Sequence, residues 1–149
     1  MTLIIDANVI GKLFLQEDDR QIAHDFIAAV VANQHKLFAP SLLILEVFGI
    51  AIHHGLDFVI PQKILASLEA SILTVIEPNR TLWERAYTIA QTGNKKAGYP
   101  SLQDSIYHAL AIQTGGTFIT ADKRHLAKTK DLGHAVHLHE WQSVLTLEN

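Results

Sequence analysis

Asp6, Glu46, Asp104 and Asp122 stand apart from the other acidic residues by position. Asp6 closes the apolar run Leu3-Ile4-Ile5, and Asp122 follows Thr117-Phe118-Ile119-Thr120. Both runs read as strands, and open parallel sheets bind ligands beyond the carboxyl ends of their strands. Either aspartate could instead cap the segment after it, as strand-to-helix junctions often require. Glu46 is set among Leu42, Leu43, Ile44, Leu45, Val47 and Phe48. A helix apolar on nearly every side is expected to be buried, and a buried carboxylate without a partner is costly. A metal, a tightly bonded donor or a narrow polar seam would each resolve that cost. Gly49, one turn on, permits close approach. Asp104 lies in Ser101-Leu102-Gln103-Asp104, a capping-box-like start to a helix. It can serve the helix N-terminus, a metal, or both.

If these four carboxylates converge, their mutual repulsion demands a cation at the centre. Hard oxygen ligands select Mg²⁺, Mn²⁺ or Ca²⁺ over Zn²⁺. Mg²⁺ keeps waters and shares its shell with substrate phosphates, which suits phosphodiester hydrolysis. Thr120-Ala121-Asp122 echoes Asp6-Ala7-Asn8, with polar groups two apart at a strand end. Asn8 and Thr120 are therefore expected as supporting polar groups.

The elements that would position these residues alternate between strand-like and helical runs, which points to an α/β fold with a parallel sheet. Strands are expected at Leu3 to Ile5, Leu37 to Ala39, Thr74 to Ile76 and Thr117 to Thr120, with an edge strand at Ala135 to Leu138. Helices are expected at Val9 to Leu15, Asp19 to Asn33, Ser41 to Gly55, Pro61 to Ser71, Thr81 to Gln91, Ser101 to Gln113 and Glu140 to Leu147. Ser41 is a plausible N-cap, and Pro61 suits the first helical position. His53-His54 suits a helix end at Gly55. Trp83, Tyr87 and Phe26 fall at helical spacing and read as core rather than base-stacking platforms.

The chain has 149 residues, enough for one domain with its own core, and no cysteine, which removes disulfides and thiolate metal sites. Its start lacks the basic segment of a signal peptide, and its longest apolar stretch is too short to span a bilayer. A cytoplasmic protein with no membrane contact is expected. The net charge of −3 does not advertise a polyanion-binding surface. Yet six of the twelve basic residues fall between Lys95 and Lys130. Such a basic rim beside an acidic centre can hold nucleic acid, or it can be solvated surface. His137 and His139 share one face of a strand, but lack a third spaced ligand for Zn²⁺.

The sequence resembles the PIN domain family. The resemblance rests on Leu3-Ile4-Ile5-Asp6-Ala7-Asn8-Val9 and Pro40-Ser41-Leu42-Leu43-Ile44-Leu45-Glu46-Val47. It continues in Leu102-Gln103-Asp104-Ser105-Ile106-Tyr107-His108-Ala109-Leu110-Ala111 and Phe118-Ile119-Thr120-Ala121-Asp122-Lys123-Arg124. These motifs run in order through almost the whole chain. The resemblance implies a single domain over 1–149, a three-layer α/β/α sandwich around a mostly parallel sheet of 4–5 strands. It implies an acidic set of Asp6, Glu46, Asp104 and Asp122 that binds Mg²⁺ or Mn²⁺, with Asn8 and Thr120 as polar helpers. Lys95, Lys96, Lys123 and Arg124 could grip RNA phosphates around it. The short single domain is similar to VapC-type toxins of type II toxin–antitoxin systems. These are ribonucleases silenced by a small antitoxin, and they usually form homodimers. Two other readings compete. One is a catalytically silent PIN-like module that binds RNA or protein. The other is a haloacid-dehalogenase-like phosphatase, which needs a second Asp where Asn8 stands.

Overall fold

The computed structural model describes residues 1–146. Five strands form one sheet: β1 (Thr2–Ile5), β2 (Lys36–Pro40), β3 (Leu73–Ile76), β4 (Thr117–Thr120) and β5 (Ala135–His137). Their order is β3-β2-β1-β4-β5, and every pairing is parallel. Leu3, Ile4 and Ile5 are fully buried, as a central strand covered on both faces demands. β5 is indeed an edge strand.

The helices are α1 (Ala7–Gly11), α2 (Arg20–Ala32), α3 (Leu42–His53), α4 (Val59–Ser71), α5 (Arg80–Gln91), α6 (Leu102–Thr114), α7 (Lys123–Thr129) and α8 (Trp141–Leu145). The strand order steps outward from β1 first one way and then the other. With right-handed crossovers, this sends helices to both faces of the sheet. The reversal occurs between β1 and β4, which is where open α/β sheets place their ligands.

Several local expectations need correction. The first helix is shorter than expected and stops at Gly11, with turns from Lys12 onward. Ser41 adopts helical backbone angles and makes no capping bond, so it does not cap α3. Pro61 is the third helical residue rather than the first. It is still tolerated, because N–H groups in the first turn have no intrahelical acceptor to lose. The C-terminal helix was expected to reach Leu147, which lies outside the described residues. Trp83 and Tyr87 are exposed on α5, where with Arg80, Glu84 and Thr88 they line a depression of about 760 Å³. Helical spacing put them on one face but could not say that the face was open. Phe26 is fully buried, as expected.

The most consequential correction concerns α3. It is not buried all round: Leu43 and Val47 enter the core, while Leu45 and Ile52 are more than three-quarters exposed. Phe58, just before α4, is exposed beside them and stacks on Phe48. An apolar groove of about 450 Å³ runs between these helices, lined by Phe48, Ala51, Ile52, Leu56, Phe58 and Pro61. Among the described residues, no helix is long and apolar enough to cross a membrane.

Candidate active site

Asp6 and Thr120 leave the carboxyl ends of adjacent strands, β1 and β4, and this juxtaposition builds the site. The Asp6 N–H continues the ladder by donating to the Ile119 carbonyl at 3.1 Å. Its side chain is 3% exposed and makes no capping bond to α1. Instead Oδ2 accepts the Thr120 hydroxyl at 2.6 Å. The same hydroxyl oxygen accepts the Asp122 N–H at 3.0 Å. Asn8 closes the arrangement, with Oδ1 accepting the Ala121 N–H at 3.2 Å and Nδ2 reaching Thr120 Oγ1 at 3.5 Å. Asn8 and Thr120 thus hold the two strand ends in register.

Thr120→Val tests that role with an isosteric change. It strips one donor from Asp6 and leaves the Asp122 N–H without an acceptor. The expected cost is about 2–3 kcal/mol of stability, read from the urea midpoint. A midpoint matching wild type would show that the hydroxyl holds nothing.

Glu46 is half-buried on α3, and its Oε1 accepts the Tyr107 hydroxyl at 2.9 Å. Tyr107 is fully buried on α6 and stacks on Phe118 of β4 with ring centroids 5.5 Å apart. The donor for Glu46 therefore comes from 61 residues away in the chain. Asp104 sits in the first turn of α6, where its N–H donates to the Ser101 hydroxyl at 3.1 Å. Asp122 caps α7: Oδ1 accepts from Arg124 N at 2.9 Å and His125 N at 3.2 Å. The capping readings thus hold for Asp122 and, through Ser101, for the Asp104 turn.

The electrostatics tie the four acids together. Burial pushes the Asp6 carboxyl up to about 8, and the charges of Asp104 and Glu46 add to that while Thr120 opposes it. Burial also raises Glu46, opposed by the Tyr107 hydroxyl and reinforced by Asp104. Burial raises Asp104, with Asp122 adding to the rise and Lys128 and Arg124 pulling it back. Asp6, Glu46 and Asp104 thus feel one another, and Asp122 joins through Asp104. Among the described residues, however, no group of three or more His, Asp or Glu side chains is gathered closely enough to coordinate an ion by itself. Beside this centre lies a depression of about 390 Å³ lined by Asn8, Ala121, Asp122, Lys123 and Arg124. Lys95 and Lys96 lie exposed in the loop between α5 and α6.

Sequence reasoning missed a buried histidine pair behind the site. His108 Nε2 donates to the Gly133 carbonyl at 2.7 Å, so its Nδ1 is free to accept His125 Nε2–H at 3.0 Å. His125 Nδ1 is then a bare acceptor, buried with no partner. The only signal was a histidine inside the apolar run Ile106 to Ala111. Burial and the neighbouring His108 hold the His125 pKa down at about 4. A depressed histidine pKa costs the fold nothing above the unfolded value of about 6.5 and costs progressively more stability as pH falls toward 4. Asp6 shifts the opposite way, so the comparison must be with His125→Leu. Between pH 7.5 and 4.5 wild type should lose about 3 kcal/mol relative to that variant. Parallel stability curves would refute a neutral buried pair.

An all-parallel sheet with carboxylates at its central strand ends defines a class, and comparison with known proteins agrees. The sequence profile of the PIN domain family matches residues 3–132, and the chain belongs to that family. A comparison with curated protein sequences returned no match. Among solved structures, the chain is similar to a toxin–antitoxin complex from Klebsiella pneumoniae, with TM-score 0.66 and 18% identity over 91% of this chain and 97% of that one. It is similar to a protein from Pyrobaculum aerophilum, also with TM-score 0.66 and 18% identity, over 97% and 96% of the two chains. It is also similar to VapBC2 from Rickettsia felis bound to a promoter DNA fragment, with TM-score 0.65 and 12% identity over 92% and 97%. At these identities the likeness is one of fold.

Proposed function

We propose that the chain is a metal-dependent ribonuclease that hydrolyses RNA phosphodiester bonds, and that it is the toxin of a type II toxin–antitoxin pair. The observation that carries this reading is the coupling of Asp6, Glu46 and Asp104 at the carboxyl edge of the sheet, with Asp6 driven up to about 8. Burial is the largest cause of that rise, but the charges of Asp104 and Glu46 add to it, and carboxyls that repel one another in this way are relieved by a cation. The donors are all oxygens, which suits Mg²⁺ or Mn²⁺. Asp6, Glu46, Asp104 and Asp122 would hold the ion. Mg²⁺ needs only one or two protein carboxylates, the rest of its shell being water and phosphate, and a loosely gathered set meets that need.

A bound divalent ion supplies a water of lowered pKa and charge stabilisation at the phosphoryl oxygens. The chain's own residues do the rest. Thr120 fixes the Asp6 carboxylate, and Asn8 ties the two strand ends. The Tyr107 hydroxyl favours the ionised form of Glu46, which can then orient the attacking water or accept its proton. Lys95, Lys96, Lys123 and Arg124 take strand phosphates. In-line attack by water leaves 5′-phosphate and 3′-hydroxyl ends.

The antitoxin reading draws on the likeness to the Klebsiella toxin–antitoxin complex and to VapBC2 of Rickettsia. The open apolar face of α3 and α4 supports a protein partner, since exposed apolar patches mark interaction surfaces. We further propose that two copies pair and that the protein acts in the cytoplasm, where its substrate is. The test of function is RNA cleavage by the purified chain. Cleavage should appear with Mg²⁺ or Mn²⁺, stop with EDTA and be lost in Asp104→Asn. RNA bound but uncut under every divalent metal would replace this reading with that of a catalytically silent module.

A further inference from the structure

The segment from Gly93 to Tyr99 is a built hairpin, not a slack connection. The Asn94 N–H donates to the Gly98 carbonyl at 3.2 Å, and the Gly98 N–H donates back at 2.8 Å. Inside the turn, the Asn94 Oδ1 accepts the Ala97 N–H at 2.6 Å. The Asn94 Nδ2 faces outward and reaches the Ala127 carbonyl on α7 at 3.4 Å. The stem is tight: a Cβ at Gly93 would lie 2.3 Å from the Gly98 carbonyl oxygen and 2.9 Å from the Tyr99 Cα. Gly98 needs its left-handed φ of +91°, and the Lys128 side chain lies alongside it.

This construction has two products. It sets Lys95 and Lys96 at the exposed tip of a turn tied to α7, with Lys128 against the stem at Gly98. It also fixes the backbone of Tyr99, which is 67% exposed. Two residues on, the Ser101 hydroxyl caps the helix that carries Asp104. Lys128 and Arg124 are near enough to Asp104 for their charge to act on it. The hairpin thus runs straight into the helix that carries Asp104, with Lys128, whose charge reaches Asp104, against its stem. Neither the tip lysines nor Tyr99 has a structural task there: the lysines reach solvent, and the ring lies outside the core. Cationic groups beside an exposed aromatic ring suit an unpaired nucleic-acid strand, because phosphates take the charge and a splayed base takes the ring.

We propose that this hairpin is a grip for single-stranded RNA, with Tyr99 stacking on an unpaired base and Lys95, Lys96 and Lys128 taking the adjoining phosphates. Asn94 is the positioning residue that fastens the grip to α7. The proposal rests on the ribonuclease reading and narrows it to substrates unpaired beside the cut.

Binding of a fluorescent RNA oligonucleotide in EDTA tests the grip without depending on cleavage. Tyr99→Ala should weaken binding of the single strand about tenfold, the effect of one stacked base. Tyr99→Trp should restore it, and the same oligonucleotide annealed into a duplex should bind weakly to all three proteins. Replacing Lys95 and Lys96 together with Ala should reduce the slope of log Kd against log salt by about 1.4, at about 0.7 per phosphate of a single strand. Asn94→Ala should lose part of that slope although both lysines remain. Wild-type affinity in Tyr99→Ala, or preference for the duplex, would overturn the proposal whatever the cleavage assay gives. Binding that follows the predicted pattern without cleavage under any divalent metal would sustain the grip and remove the nuclease.

Discussion

Asp6→Asn should abolish most RNA cleavage while making the protein more stable. The two effects have one cause. Asp6 is buried at the end of β1, and burial together with Asp104 and Glu46 raises its pKa from the ordinary 3.8 to about 8. A carboxyl whose folded pKa lies above its unfolded value costs nothing below pH 4, and costs progressively more stability up to pH 8. Without a divalent ion, wild type should therefore fall behind Asp6→Asn by up to about 5 kcal/mol as pH rises through that window. Asparagine keeps an oxygen to accept the Thr120 hydroxyl and carries no charge. The same substitution removes a negative ligand from the centre, and the turnover rate should drop about 10²–10³-fold, as when one preorganised electrostatic group is deleted. Melting curves in EDTA between pH 4 and 8, read beside turnover in Mg²⁺, check both halves. A variant that is less stable than wild type at pH 8, or fully active, would contradict this account of Asp6.

Tyr107→Phe should reduce kcat/KM about 10–100-fold, the usual loss when a group that supports a ligand is removed. The ring stays on Phe118, so the core changes little and the stability cost is about 1 kcal/mol. What disappears is the hydroxyl donated to Glu46 Oε1. That bond pulls down a carboxyl which burial and Asp104 push up. Glu46 should then hold its proton to higher pH, and the acid limb of the pH–rate profile should move upward. A uniform loss with no movement of that limb would mean that Tyr107 acts through packing and not through Glu46.

The strand ends were legible because their physics is local. A continuous apolar run closed by Asp, as in Leu3 to Asp6, can be read as a doubly covered strand opening on a ligand edge. That Asn8 and Thr120 bond across the two strand ends was legible from the echo between Asp6-Ala7-Asn8 and Thr120-Ala121-Asp122. Glu46 was singled out on a premise that failed in part. α3 is apolar all round, but its outer face is open at Leu45 and Ile52 and forms surface instead of core. Hydrophobic periodicity reports which residues share a face; it does not report what covers that face. The same limit explains Trp83 and Tyr87. The Tyr107–Glu46 bond and the His108–His125 pair were not legible, because each joins positions brought together only by the packed sheet. Asp122 was legible as a cap from its place at the strand end, while its charge acting on Asp104 was not, since that too depends on the packed sheet.

Calorimetric titration of Mn²⁺ at pH 7, in two buffers of different ionisation heat, tests the account at its centre. Metal binding to protonated ligands releases protons. With Asp6 near 8, wild type should bind Mn²⁺ and release close to one proton per ion. Asp6→Asn should bind far more weakly and release almost none. Wild-type binding without proton release, or equal binding by the two proteins, would contradict the claim that this pocket exchanges the proton of a buried aspartate for a divalent cation.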